Sequence, residues 1–181
     1  MKTLKTLSLA ALLLFGCLNL ALAQGAKKPA ASPHQVITQD FATSQIVIDY
    51  SRPGIKGRTL YKDLAPYGKV WRTGANAVTT IEFGQDVELE GHQVKAGKYA
   101  IYTIPNQDKW TIILNKDVDL WGTEYKEGDD VLRFDVKPVP LAFKIETFTI
   151  NVDQIRDTSC VIYLAWDQTY VPIKVSTGAA Q

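Results

Sequence analysis

Apolar and polar residues alternate with a period of two through most of the chain between positions 46 and 175. This period is that of extended strands, whose successive side chains point to opposite faces, and turn residues interrupt it about every ten positions. No stretch has helical periodicity over enough residues for a substantial helix. The predicted strands lie at residues 46–50, 79–83, 87–90, 98–104, 109–115, 132–136, 148–152, 158–167 and 170–175.

Eight or nine short strands at this spacing predict an all-β fold: a single antiparallel β-sandwich with jelly-roll or immunoglobulin-like topology. The clearest hairpin joins residues 98–104 to residues 109–115 through a four-residue loop beginning at Pro105. Residues 158–167 are apolar on both faces, which favours the centre of a sheet. Pro172 has no backbone N–H to donate, so residues 170–175 are predicted to form an edge strand.

The N-terminal residues 1–23 have the pattern of a secretory signal peptide. Lys2 and Lys5 supply the positive charge, residues 7–15 are apolar, and Ala21-Leu22-Ala23 is a small-residue cleavage motif. A lipobox around Cys17 is the alternative, in which the lipidated cysteine would anchor a lipoprotein. The alanine motif fits the small-residue rule better. Both interpretations predict export, to the periplasm or the cell exterior, and no later run reaches the roughly 18 apolar residues of a membrane-spanning helix.

Three further segments are predicted after the leader. Residues 24–34 are small, polar and proline-bearing, which indicates a disordered lead-in, and residues 176–181 form a similar tail. Residues 35–175 form the β-sandwich domain, which is long enough to bury its own core. Only Cys160 follows the leader, so no intramolecular disulfide is expected. Its alternation with apolar neighbours predicts an inert, buried thiol.

Charge and motif content exclude several classes of protein. The formal net charge of +1 becomes −1 without the leader lysines, which argues against a nucleic-acid or anionic-membrane partner. His34 lies in the lead-in and His92 in a predicted turn, so neither suits a catalytic triad. No metal-binding or phosphate-loop motif is present, and the sequence predicts neither a metal nor a cofactor. Asp49 and Glu82 are the nearest paired carboxylates for a histidine-independent hydrolase acting on glycans.

The stretch around Trp71 is the strongest candidate for a site. Arg52, Arg58 and Arg72, three of the five arginines, fall within twenty-one residues and are interleaved with aromatic rings. The arginine fork suits carboxylates and phosphates, and its plane stacks on aromatic rings. A site at the rim of the sandwich would bind a small anionic or polyhydroxylated ligand. Its candidate residues are Arg52, Arg58, Tyr61, Trp71, Arg72, Thr73 and Asn76.

A structural interpretation of the same residues stays open. Trp71 would cap one end of the core, with Arg72 stacked on it or paired with Asp49 or Glu82. Gly74 would then supply a positive φ for a turn, and Asn76 a local Asx turn. A second aromatic group consists of Trp110, which is in phase with the core of its strand, and of Trp121 and Tyr125 in the loop 117–130.

The motifs SRPGIKGRTLY, LAPYGKVWRTGANAVTTIEF, VKAGKYAIYTIP and WTIILNKD resemble the domain of unknown function 2911 (DUF2911) family over about residues 35–175. The resemblance implies an exported, bacterial, β-rich protein and carries no established activity. The motif positions that match are Arg52, Arg58, Tyr61, Trp71, Arg72, Thr73, Gly74 and Asn76.

The leading functional prediction is a non-catalytic binding module. The three arginines would donate to an anion, Trp71 and Tyr61 would offer stacking faces, and Asn76 would add a neutral hydrogen bond. The glycan hydrolase is one alternative. The other is a structural or assembly role in the cell envelope, with the predicted edge strand 170–175 as the contact. The sequence leaves the oligomeric state open.

Overall fold

The structure is a computed structural model that describes residues 28–119 and 124–177. The chain divides into a unit of residues 1–30 and a unit of residues 31–181, and the fold described here is that of the second. The predicted signal peptide, Cys17 and Trp121 lie outside the described residues. Within the described ranges, no helix is long and apolar enough to cross a membrane.

Ten strands make up the described part of this unit. Their bounds are β1 His34–Phe41, β2 Ser44–Ser51, β3 Thr79–Phe83, β4 Val87–Leu89, β5 His92–Val94, β6 Gly97–Pro105, β7 Trp110–Asn115, β8 Asp130–Val136, β9 Val139–Asp153 and β10 Ser159–Ser176. One π-helical turn at Leu60–Leu64 and one 3₁₀ turn at Glu127–Asp129 complete the regular structure of the described residues.

The strands form two antiparallel sheets. The first has six strands in the order β1-β2-β3-β6-β7-β8, and the second has four in the order β5-β4-β10-β9. One apolar core draws side chains from both sheets, for example Ile48 and Ile81 from the first and Ile150 and Ile162 from the second. The prediction of an all-β, sandwich-like fold is confirmed, with ten strands instead of eight or nine. A jelly-roll or immunoglobulin-like topology is not confirmed.

Tyr50 joins the two sheets by a polar contact inside the core. Its ring is 1 % exposed, and its hydroxyl lies 3.0 Å from both the backbone N and the backbone O of Ile150 on β9. A buried backbone pair at this depth needs partners, and the tyrosine hydroxyl can accept one bond and donate the other. Tyr50 therefore holds β2 and β9 at a set distance.

The sequence pattern missed β1. This strand begins at His34, inside the predicted lead-in, and pairs with β2 from His34↔Ser51 to Phe41↔Ser44. Only Phe41 is fully buried, and Val36 is 49 % exposed. A strand at a sheet edge can carry polar residues on both faces, so it lacks the alternation that identifies a half-buried strand.

The two strands predicted at 158–167 and 170–175 are one strand, β10, in the interior of the second sheet, so the edge-strand prediction is wrong. Its pairing with β9 shifts register between Ala165 and Thr169, and Asp167 has φ = 50°. This bulge disturbs the alternation that would have joined the two halves. Pro172 falls between Tyr170, which pairs with β9, and Val175, which pairs with β4.

One turn and one strand boundary also differ in detail from the prediction. The β4–β5 turn is at Glu90-Gly91, with φ values of 48° and 85°, and His92 starts β5. Two successive positive φ values are those of a type I′ hairpin turn. Pro140, expected to end a strand, lies inside β9, where it pairs with Thr169. It is tolerated there because β9 is the edge of its sheet. The predicted hairpin of β6 and β7 is confirmed.

Cys160 is confirmed as a buried thiol, with 3 % exposure, and burial raises its pKa to about 11. The reactive thiolate is therefore scarce at pH 8, and access adds a second barrier. We expect iodoacetamide to modify Cys160 in the native protein far more slowly than in urea, as measured by peptide mass spectrometry. Modification at equal rates in the two states would show that β10 opens freely.

Candidate functional site

The segment 52–78, which joins β2 to β3, contains every site residue that the sequence predicted. Two isolated bridges attach it to the sheets: Gly54 pairs with Thr147 on β9, and Trp71 pairs with Thr103 on β6. The segment is thus fastened to the second sheet near its start and to the first sheet near its end. A long connection held in this way can present side chains in a set arrangement.

Trp71 is part of the core. Its backbone N donates to Thr103 O at 2.8 Å, and its own carbonyl accepts from Thr103 N at 2.9 Å. The ring, only 8 % exposed, stacks on Trp166 at 5.4 Å and meets Phe148 edge-on at 4.9 Å. Both geometries are favourable for aromatic pairs. The structural interpretation is correct for Trp71.

Thr73 adopts a backbone conformation that is rare for its type. Its φ is 54°, in the left-handed region that β-branched residues seldom occupy. The residue is fully buried, its carbonyl accepts from Thr79 Oγ1 at 2.8 Å, and its Oγ1 lies 3.2 Å from Thr103 Oγ1. These contacts hold the strained conformation in place. Thr73 therefore shapes the loop from inside and does not line its surface.

Gly74 is required for close approach and not for a positive φ, which corrects the expectation from sequence. A Cβ atom built at this position would lie 2.7 Å from Thr79 Oγ1 and 3.1 Å from the carbonyl of Ser51. The positive φ values belong instead to its neighbours Thr73 and Asn76. The absence of a side chain at Gly74 lets the loop pack directly against the end of β2.

Asn76 does not form the local Asx turn that the structural interpretation predicted. Its Nδ2 donates to Ser51 Oγ at 3.2 Å and lies 3.4 Å from the carbonyl of Ser32. Its φ of 61° is one that asparagine tolerates better than most residues. The side chain therefore joins the loop to the end of β2 and to the chain before β1.

An open cleft of about 610 Å³ lies beside this loop. Four of the seven predicted site residues line it: Arg58, Trp71, Arg72 and Asn76. Asp63, Tyr102, Tyr125 and Trp166 also contribute to its walls. Its volume falls in the range of small-molecule sites. The structure therefore brings four of the predicted site residues together at one cleft, and other residues complete its walls.

Arg72 is the uncommitted cation of the cleft. Within the described residues its guanidinium makes no hydrogen bond or salt bridge. Asp49, a partner considered from sequence, pairs with His34 instead, with Oδ1 2.6 Å from Nε2. Arg58 is partly committed, because its Nε and Nη2 donate to the carbonyls of Ile55 at 3.1 Å and Gly54 at 2.7 Å. An arginine has five donor hydrogens, so both retain capacity for a ligand.

Arg52 lies outside the cleft. Its Nε donates to the carbonyl of Phe148 at 3.1 Å, and its Nη2 donates to Thr149 Oγ1 at 2.8 Å, both on β9. The structure therefore separates it from the other two arginines and gives it a role in joining the sheets. A guanidinium suits this task because its donors point in fixed directions.

Tyr61 also lies elsewhere, in a second and smaller cleft of about 230 Å³. Its ring stacks on Tyr67 at 4.2 Å, and its hydroxyl hydrogen-bonds to Thr169 on β10. Burial raises its pKa to about 12, so the hydroxyl stays protonated at neutral pH. The ring cannot serve as a stacking face for a ligand beside Arg72.

Two tyrosines outside the segment 52–78 also line the cleft: Tyr125, which the sequence placed in a second aromatic group, and Tyr102, which sequence reasoning missed. Tyr102 is 1 % exposed and meets Tyr125 with ring centroids 4.9 Å apart. The Tyr125 hydroxyl donates to Asp130 at 2.6 Å and accepts from Arg133. Burial is the main reason that the pKa of Tyr125 rises to about 12. No sequence signal marked Tyr102, because its strand also carries core residues in the opposite phase.

The predicted carboxylate pair is not part of the cleft. Asp49 and Glu82 lie on β2 and β3, in the opposite phase to the core residues Ile48 and Ile81. Neither residue lines the cleft. Among the described residues, no group of three histidines, cysteines or carboxylates could hold a metal ion.

Comparisons with known proteins identify a family and nothing narrower. No curated protein and no solved structure matches the chain. A family model described as protein of unknown function (DUF2911) matches residues 32–175, which cover most of the chain and include the whole cleft-forming loop. The chain therefore belongs to the DUF2911 family.

Proposed function

We propose that this protein is an exported, non-catalytic module that binds a small anion in the cleft beside Trp71. The observation that carries the proposal is Arg72, a guanidinium that lines the cleft without a partner among the described residues. An arginine placed for structure normally has its donors engaged, as Arg52 does on β9. An arginine left open in a concave site is suited to a carboxylate or a phosphate.

The charges of the cleft support an anion. Arg58 and Arg72 contribute two positive charges, and Asp63 contributes one negative charge. The Asp63 carboxylate already accepts from the backbone N of Thr59 at 2.8 Å, so it is partly occupied within its own turn. The balance of one net positive charge favours a ligand with a single negative charge.

A ligand stacked on an aromatic face receives less support. Trp71 is 8 % exposed, and Trp166 covers one face of its indole at 5.4 Å. Tyr61 stacks on Tyr67 in the other cleft. Stacked sugars need a broad free ring face, so recognition here depends on hydrogen bonds and charge. Trp71 acts as the floor of the cleft.

Export is the second part of the proposal, and its support is the residue pattern of positions 1–23.

The geometry of the described residues supports neither of the two alternative functions. Asp49 and Glu82 do not line the cleft, so no observation favours the glycan hydrolase. The envelope role depended on residues 170–175 as an edge, and these lie in an interior strand.

A thermal-shift screen of the purified protein against phosphates, carboxylates and sugars tests anion binding. A ligand present at a hundred times its Kd should stabilise the native state by about 2.7 kcal/mol. We expect this shift for an anion and its loss in Arg72→Ala. The unliganded variant should melt close to the wild type, because the Arg72 side chain makes no bond among the described residues.

Arg156→Ala is the matched control, since it removes the same charge from a residue outside this cleft. It should retain the ligand-induced shift. An equal loss of the shift in both variants would reduce the effect to general electrostatics. The proposed function would be contradicted if the shift persisted in Arg72→Ala, or if no ligand of the panel changed the melting temperature of the wild type.

A further inference from the structure

Tyr102 has a hydroxyl that the described residues leave without a hydrogen-bond partner. The side chain lines the cleft and is 1 % exposed, and within the described part of the chain its hydroxyl oxygen makes no hydrogen bond. Buried hydroxyls are almost always hydrogen-bonded, because losing water without replacement is unfavourable. The neighbouring Tyr125 shows the usual situation, with its hydroxyl bonded to Asp130 and Arg133.

A phenylalanine would fill this position without the unfavourable hydroxyl. The side chain of Tyr102 packs in a small cluster of apolar residues that includes Val78, Ala100 and Ile113. Removing a buried polar group that has no partner is neutral or stabilising for a fold. The hydroxyl is therefore not explained by stability, and its position in the wall of the cleft indicates a partner that arrives with the ligand.

The charges around Tyr102 restrict that partner. Burial raises the pKa of Tyr102, and the negative charges of Asp117 and Asp130 raise it further. The hydroxyl is thus protonated at neutral pH and acts as a donor. Both carboxylates are paired, Asp130 with Arg133 at 2.6 Å and Asp117 with Lys126 at 3.2 Å. These two cations are therefore already engaged and do not attract a second anionic group to this end of the cleft. An uncharged oxygen, such as a ligand hydroxyl, needs no cation there.

We propose, on the basis of the proposed anion site, that the ligand is a singly charged, hydroxylated acid whose anionic group binds Arg72 and whose hydroxyl oxygen accepts from Tyr102. The two groups give the cleft a positive end and a neutral donor end. The Tyr102 hydroxyl is itself buried, so the proposal includes a small movement of the cleft wall beside it, where the Tyr125 and Tyr102 ring centroids lie 4.9 Å apart. A sugar acid has the required chemistry, and a plain fatty acid or a dicarboxylate does not.

Three six-carbon acids separate these requirements in calorimetric titrations of the purified protein. Gluconate has one carboxylate and several hydroxyls, hexanoate lacks the hydroxyls, and adipate replaces the neutral end with a second carboxylate. We expect gluconate to bind more tightly than both others. One hydrogen bond of ordinary net strength corresponds to a difference of about threefold to tenfold in Kd.

Tyr102→Phe is the decisive variant. This variant should raise the Kd for gluconate by about threefold to tenfold and leave the Kd for hexanoate unchanged. Its melting temperature should equal or exceed that of the wild type. Weaker gluconate binding without a loss of stability distinguishes a hydroxyl that contacts the ligand from one that supports the fold. Tyr99→Phe is the matched control, because the Tyr99 hydroxyl already donates to the carbonyl of Lys95 at 2.9 Å and does not line the cleft.

The outcomes separate this inference from the proposed function. Equal affinities for gluconate and hexanoate, both lost in Arg72→Ala, would retain the anion site and overturn the role of Tyr102. Wild-type gluconate affinity in Tyr102→Phe would overturn it as well. A lower melting temperature for Tyr102→Phe without ligand would show that the hydroxyl has a partner in the free protein. Failure of all three acids to bind, in a protein that still shows an anion-induced thermal shift lost in Arg72→Ala, would overturn this inference and retain the anion site; absence of any shift in that screen would overturn both.

Discussion

Replacing Trp71 by alanine is expected to lower the free energy of unfolding by about 3–5 kcal/mol. The indole is 8 % exposed and packs against Trp166, Phe148 and Trp110 at centroid distances between 4.9 and 6.4 Å. Truncation removes these contacts and leaves a cavity between rings that cannot collapse into it, since each belongs to a strand held by its sheet.

Urea unfolding of Trp71→Ala, followed by far-UV circular dichroism, measures this effect. Phe143→Ala is the control, because Phe143 is also a large aromatic residue but is 64 % exposed on β9. Its truncation should change the free energy of unfolding by less than about 0.5 kcal/mol. A Trp71→Ala protein as stable as this control would show that the aromatic cluster does not support the core.

Gly74→Ala is expected to destabilise the protein by about 1–3 kcal/mol, a large effect for a single added methyl group. The new Cβ would lie 2.7 Å from Thr79 Oγ1 and 3.1 Å from the backbone carbonyl of Ser51. The hydroxyl can move only by giving up its 2.8 Å bond to the carbonyl of Thr73. The carbonyl belongs to the end of β2, so relief there requires a backbone shift.

Thermal unfolding of two glycine variants provides the comparison. At Gly128, an added Cβ would meet no atom within 4 Å, so Gly128→Ala should leave the melting temperature nearly unchanged. The double variant Gly74→Ala/Thr79→Ala removes the nearest obstacle, and the two changes should therefore cost less than their sum. Strict additivity of the two effects would rule out the contact with Thr79 Oγ1 as the cause and leave the contact with the Ser51 carbonyl.

The geometry explains how one short segment serves two roles. Trp71 forms an isolated bridge with Thr103, so its backbone is extended at that point. Successive side chains of an extended chain point in opposite directions. Trp71 therefore packs in the core and forms the floor of the cleft, while the adjacent Arg72 lies outside the core cluster of the described residues and lines the cleft. Arg72 can then be replaced without removing a core side chain, whereas replacing Trp71 changes both the core and the cleft.

Local patterns predicted the elements whose surroundings are uniform. The alternation in Thr79–Phe83 predicts β3, and the turn residues from Pro105 predict the hairpin of β6 and β7; the structure contains both, because these signals come from residues close together in the chain. Trp110 was correctly assigned to the core and is 2 % exposed. The pattern does not predict β1 or the continuity of β10, because an edge position in the one and a bulge in the other remove the regular alternation.

Hydrophobic alternation depends only on neighbouring residues, so the amino-acid sequence was sufficient to predict antiparallel strands packed around a core. It also placed the candidate site in the loop around Trp71. Contacts in the folded chain distinguish the arginines: Arg52 donates to Phe148 and Thr149 on β9, whereas Arg72 lines the cleft. Likewise, Tyr102 lies beside the loop because the adjacent residue of β6, Thr103, pairs with Trp71. Contacts between distant segments follow from register and sheet order, which no local pattern encodes.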